Sequence, residues 1–139
     1  DAYEATARMR ETVVVRDSCD VFPFGAIAAR SCDLDHAVGY QRTVDGAPAA
    51  PAQTRPDNLD AVSRTAHRAK THGGWRRTNW SLGSCEWLSP HGDLYRVERG
   101  LTTWLGRATP TRIAAIDATA HLVPAPFRTR VEGLVSGAV

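Results

Sequence analysis

Apolar positions along the chain change period several times, and each change marks an expected element. The run YEATARMRETVVVR (3–16) opens with helix formers and closes on three valines, which predicts a helix through about Thr12. VFPF (21–24) reads as a short extended segment broken by Pro23. SCDLDHAV (31–38) alternates, with Leu34 on one side and Asp33 and Asp35 on the other, as a half-buried strand does. DGAPAAPAQTRPD (45–57) predicts a surface loop. After Pro56, Asp57 or Asn58 is a good cap for a helix running to Lys70 or Thr71, with Gly73 and Gly74 as its stop. WRRTNW, CEWLS and DLYRV, separated by turn residues, predict a small antiparallel hairpin or three-stranded sheet. From Gly106 the pattern weakens: 111–121 predicts a helix, and 124–139, flanked by prolines, a mobile end. The expected organisation is one domain over 1–105 and a poorly defined tail over 106–139, without internal repeats.

Composition narrows the class. With 139 residues, 42% of them apolar and 23% charged, the chain has enough for one modest core and too much apolar content for wholesale disorder. No run approaches the roughly 18 apolar residues of a membrane span, and no basic, apolar leader opens the chain. Cys19, Cys32 and Cys85 are an odd, scattered set, which excludes a disulfide scaffold and a four-cysteine ribbon and predicts a reducing, cytoplasmic setting. The chain opens on Asp1 and carries its one Met at position 9, which reads as a piece of a longer protein. The formal charge is only +2, yet every basic residue except Lys70 is arginine. A GC-rich genome yields that composition, and arginine's planar fork also suits phosphate.

The chemistry concentrates between Asp33 and His72. An Asp-His pair (Asp35, His36) ends the expected strand, Asn58 opens the expected helix, and His67 lies within it. At about 100° per residue, Leu59, Val62, Ala66 and Ala69 share one face, while Asp60, Arg64, His67 and Thr71 fall on a polar stripe, so His67 points away from the core. A carboxylate and an imidazole are good ligands for a divalent cation, and a further, unligated His has the right intrinsic pKa to deprotonate water. These are the parts of a metal-assisted phosphodiester hydrolase, although five histidines in 139 residues also produce chance trios. His72 reads as a helix-end residue, His91 as an exposed turn residue, and His121 lies in the tail. Trp75, Trp80, Trp87 and Trp104 read as core rather than as base-stacking platforms.

The run DLDH (33–36), the NL at 58–59 and HRAKTHGGW (67–75) resemble the HNH endonucleases. More narrowly, they resemble the HNH domain at the C-terminus of an actinobacterial repeat family (13E12-like). RD at 16–17, VFPF at 21–24, AQTRPDNL at 52–59 and EWLSPHGDLYRV at 86–97 extend the resemblance over about residues 1–105. It implies an α+β chain with a ββα-metal core, an N-terminal helix and a small C-terminal antiparallel sheet. It further implies His36 as general base, Asp35 and His67 as ligands of one divalent ion, and Asn58 as the residue that constrains the loop and orients the base. The ion is Mg²⁺ foremost, with Mn²⁺, Ni²⁺ or Zn²⁺ compatible. DNA is the implied partner, gripped through phosphates by Arg64, Arg68 and Lys70; Asp33 is expected to orient its neighbours.

One departure stands out. Many relatives brace the unit with a structural zinc, and the corresponding slots here hold Asp20, Gly25, Ser63 and Ala66. The expectation is therefore a fold braced without that zinc by Phe22, Phe24, Leu34, Leu59, Val62, Trp75 and Trp87. The alternative is a catalytically silent nucleic-acid-binding module, or a relic domain of a larger repeat-family protein.

Overall fold

The computed structural model describes residues 3–40, 53–78 and 84–119, and shows an α+β chain with two antiparallel sheets. Helix α1 (Ala7–Asp17) is followed by strand β1 (Asp33–His36), strand β2 (Leu59–Val62) and helix α2 (Arg64–His72). Strands β3 (Arg76–Arg77), β4 (Cys85–Leu88), β5 (Asp93–Glu98) and β6 (Leu101–Arg107) form the second sheet in sequence order, and helix α3 (Pro110–Thr119) ends the described chain.

Helix α1 starts at Thr6, whose hydroxyl accepts from Met9 N, and continues through the three valines to Asp17. It therefore overruns the expected stop at Thr12. Val13 and Val14 are buried against Ala29, Cys32, Leu59 and Ala61, so tertiary burial outweighs the weak helix propensity of β-branched residues. The VFPF segment is a turn rather than a strand: Gly25 N donates to Phe22 O, and only Val21 makes a sheet-like bond, to Ala61 O.

The larger correction lies between Asn58 and Val62. The expected single helix is a short 3₁₀ turn (Pro56–Asn58), then a strand, then a helix. All four residues of β2 are buried. A helix would bury only one stripe of them, whereas a strand packed on both faces buries every side chain. Ser63, not Asp57 or Asn58, is the cap of α2, its hydroxyl accepting from Ala66 N. Within Arg64–His72 the polar stripe holds: Ala66 is buried and His67 half-exposed. The expected surface loop over 45–57 falls largely outside the described residues, and its end is not superficial, since Gln53 and Thr54 are buried.

Strands β1 and β2 pair antiparallel with Leu34 opposite Ala61, Asp35 opposite Asp60 and His36 opposite Leu59. One face packs on α1 with Leu59 and Ala61; the other carries Val62 into a second cluster with Val21, Ala66, Cys85, Trp87 and Val97. Of the residues expected to brace the fold, Leu59, Val62 and Trp87 are buried, and Leu34, Phe22 and Trp75 pack at the margins. Phe24 is instead 74% exposed. Its backbone has a φ of 62°, and its ring meets Tyr95 in a T-shaped contact at 5.6 Å. The expected zinc slots serve other ends: Asp20 accepts from Phe22 N, a Cβ on Gly25 would lie 2.7 Å from Asp20 Cγ, Ser63 caps α2 and Ala66 is core. None offers the thiolate or imidazole such a zinc prefers.

A buried ionic cluster joins the halves. Arg16 pairs with Asp17 and with Asp60 at 3.6 Å and donates to Pro56 O and Leu59 O; Arg77 of β3 approaches the other oxygen of Asp60 at 3.1 Å. Asp17 accepts from Ala61 N. The second sheet has a fourth strand, β6, beyond the three expected, and it runs across the boundary drawn at 105. Helix α3 is tied back by Arg112 to Glu86 and by Asp117 to Arg76. The tail from 120 onward, His121 included, lies outside the described residues, as does Trp80. Among the described residues no helix is long and apolar enough to cross a membrane.

Candidate functional site

The end of β1 gathers most of the predicted residues. Alternation sends consecutive side chains to opposite faces of a strand. Asp35 faces α2 and His36 faces α1, so the carboxylate and the imidazole of the pair lie on opposite sides of β1.

On the α2 side, His67 Nε2 lies 3.5 Å from Asp35 Oδ1, and Lys70 Nζ lies 2.5 Å from Asp35 Oδ2. Lys70 also donates to the His36 carbonyl at 2.7 Å. Helix spacing explains the pair: residues three apart on α2 sit side by side, and both reach the strand beneath. Two donors on one divalent ion, at about 2.1 Å and roughly 90–110° apart, are separated by about 3.0–3.4 Å. Asp35 and His67 are close to that separation, and a carboxylate oxygen plus an imidazole nitrogen is a donor set that suits such an ion. Among the described residues no group of three or more His, Cys, Asp or Glu converges to hold a metal, so waters or substrate oxygens would complete the shell, as is usual for Mg²⁺.

On the α1 side, His36 is 7% exposed. Its Nε2 lies 2.9 Å from Thr54 Oγ1, and its ring is walled by Tyr3 at 5.3 Å and Tyr40 at 5.5 Å. It lines a cavity of about 450 Å³ together with Tyr3, Arg10, Asp33 and Leu59. Burial pushes the imidazole below its ordinary value; Asp35 opposes that push and Lys70 adds to it. The ring is thus held neutral, the form able to accept a proton.

Asn58 joins the two sides. Its Oδ1 accepts from Val38 N, and its Nδ2 donates to Val38 O and Gln53 O, while Ala37 N donates to Asn58 O. A buried amide with this many partners fixes the chain leaving β1 against the chain entering β2.

The predicted phosphate contacts separate. Arg64 is largely exposed, with only a 3.6 Å approach to Asp33, and Arg68 is exposed. Lys70 is not displayed to solvent in the same way, because its ammonium is committed to Asp35 and the His36 carbonyl. Asp33 lies nearest Arg64, at 3.6 Å. His72 ends α2 and is exposed, and His91 lies in a turn whose carbonyl accepts from Arg107. Thr54 and Tyr3 escaped the sequence reading. Their contacts span 18 and 51 residues, and no local pattern announces either.

No family model matches the chain, and no solved structure matches it. The chain is similar to the uncharacterized protein Rv2100 of Mycobacterium tuberculosis H37Rv, 30% identical over 142 residues that make up 95% of this chain and 24% of that protein. The uncharacterized protein MT2160 of Mycobacterium tuberculosis CDC 1551 matches with the same identity and coverage. The uncharacterized protein Rv3776 of the H37Rv strain is 31% identical over 125 residues, 89% of this chain and 21% of that protein. The chain therefore spans about a quarter of the length of the curated relatives it matches.

Proposed function

We propose that this chain is a metal-dependent endonuclease domain of the HNH type, with a ββα-metal core formed by β1, β2 and α2, that hydrolyses DNA phosphodiester bonds. The observation that carries the reading is the 3.5 Å approach of His67 to Asp35, on the strand whose next residue is the neutral, buried His36. The loop bonds of Asn58 support it. Asp35 and His67 would hold one divalent ion, Mg²⁺ foremost, with Mn²⁺, Ni²⁺ and Zn²⁺ compatible. When bound, such an ion supplies Lewis-acid stabilisation of charge on phosphate oxygens. His36 takes a proton from water as the water oxygen bonds to phosphorus and one ester P–O bond breaks. Both groups belong to the end of β1 but face opposite sides of it, so a phosphodiester would meet both only by crossing that end. Arg64 and Arg68 pair with flanking phosphates. Lys70 holds Asp35 in place.

A silent nucleic-acid-binding module draws on a different observation: the donor set has two members, and one carboxylate oxygen already carries Lys70. Nicking of supercoiled plasmid in Mg²⁺, Mn²⁺ or Ni²⁺, with and without chelator, separates the two. Nicking is expected with metal, lost in chelator and lost in His36→Ala, while His67→Ala loses Mn²⁺ binding as well. A salt-dependent band shift without nicking in any metal would replace the nuclease by the silent module.

A further inference from the structure

The hydroxyl of Thr54 has a single proton, and two neighbours compete for it. Its Oγ1 lies 3.2 Å from the Tyr3 carbonyl oxygen and 2.9 Å from His36 Nε2. In the arrangement that gives both contacts a donor, the Thr54 proton goes to the Tyr3 carbonyl, which can only accept. Thr54 Oγ1 then has only lone pairs to offer the imidazole, and Nε2 must carry a hydrogen to bond with it. A neutral imidazole protonated at Nε2 has its lone pair at Nδ1. Thr54 and His36 are both buried, so the bond between them is not readily exchanged for one to water. The Tyr3 ring against the imidazole further resists rotation of the ring.

We propose that Thr54 is a positioning residue that fixes the tautomer of His36, protonated at Nε2 and proton-accepting at Nδ1. Its importance for turnover rests on the reading of His36 as general base; the tautomer itself does not. The chain from the Tyr3 carbonyl through the Thr54 hydroxyl to Nε2–H presents oxygen lone pairs to the imidazole. It steadies the cation formed when Nδ1 takes a proton, as an acceptor behind a catalytic imidazole does. Thr54→Ser keeps the hydroxyl. Thr54→Val keeps the shape and removes the acceptor, which leaves a buried Nε2–H without its partner and favours the other tautomer.

Long-range ¹H–¹⁵N correlation spectra of the histidine-labelled chain at about pH 8, where imidazole is neutral, read the tautomer directly. The wild-type chain and Thr54→Ser are expected to show His36 protonated at Nε2, and Thr54→Val a mixture or the Nδ1–H form. In plasmid nicking, Thr54→Val is expected to lose about tenfold in rate and Thr54→Ser less than about threefold. Wild-type His36 protonated at Nδ1, or an unchanged tautomer in folded Thr54→Val, overturns the proposal. If Thr54→Val does not fold, the wild-type and Thr54→Ser spectra decide. Tautomers as expected in a chain that never nicks DNA would uphold the role of Thr54 and reject the nuclease.

Discussion

Asp35 and Asp60 stand directly opposite each other on β1 and β2, yet their surroundings differ in every respect that matters to function. Like charges in direct cross-strand register repel, so each needs its own cation. Asp60 is 3% exposed and meets two arginines, Arg16 and Arg77, which with Asp17 form a charge-balanced group buried between α1, β2 and β3. Its carboxyl is pushed up by burial, with Arg77 the main opposing influence. Asp35 meets a lysine and a half-exposed imidazole. Arginine's rigid fork and permanent charge suit a fixed joint; a flexible ammonium and a histidine that can be neutral suit a site whose partner changes. The same residue type, one strand apart, thus serves as architecture in one place and as a candidate ligand in the other.

Stability measurements test that contrast most severely. Asp60→Asn strands Arg77 and Arg16 in the interior and is expected to cost about 3–5 kcal/mol in urea unfolding. Asp35→Asn leaves the half-buried Lys70 its bond to the His36 carbonyl and is expected to cost about 1–2 kcal/mol while removing Mn²⁺ binding. Equal losses would erase the distinction. Chelator bears on the same point: it is expected to abolish nicking and shift the thermal midpoint only slightly, because one weakly held ion contributes only by mass action.

Acid sharpens the comparison from the His36 side. The folded chain holds His36 below its ordinary value, while the unfolded chain protonates it near about pH 6.5. The unfolded state therefore binds more protons below that pH, and stability falls as the solution is acidified. Unfolding curves from about pH 8 to 5 should show that decline, and His36→Gln should flatten it relative to wild type.

The smallest effect concerns thiols. Burial pushes the Cys85 thiol up to about 12, with Asp60 adding to it, and the Cys32 thiol to about 11. Both should resist iodoacetamide in the native state at about pH 8, with half-buried Cys19 labelled first by peptide mapping. Fast labelling of Cys85 would mean that the joint around Asp60 opens readily.

Much of this was legible in the chain. The alternation of 31–38, the polar stripe bearing His67, the double-glycine stop and the aromatic runs of the second sheet each follow from local periodicity or local steric preference. The candidate site was legible as the residues Asp35, His36, Asn58 and His67, because its members are chemically distinctive and closely spaced. What the residues did not disclose was who touches whom. Lys70 reads as a solvent-facing cation beside Arg64 and Arg68 until β1 lies beneath α2 and supplies a carboxylate and a carbonyl. Thr54 and Tyr3 become relevant only when the chain returns to β1 from either side.

Sequence alone determined which chemically distinctive residues are available around the end of β1. Tertiary structure decided that Leu59–Val62 is a strand. Its residues have no local reason to prefer that state over the helix suggested by Leu59, Val62, Ala66 and Ala69; they become extended because β1 offers a hydrogen-bonding edge and both faces offer burial. Strand pairing is satisfied by partners distant along the chain, whereas helix periodicity is written within a few residues. Tertiary structure also decided which of two facing aspartates is sealed among arginines and which remains beside an imidazole. That choice depends on what packs above each strand on the face the two share, and no window along the sequence contains it.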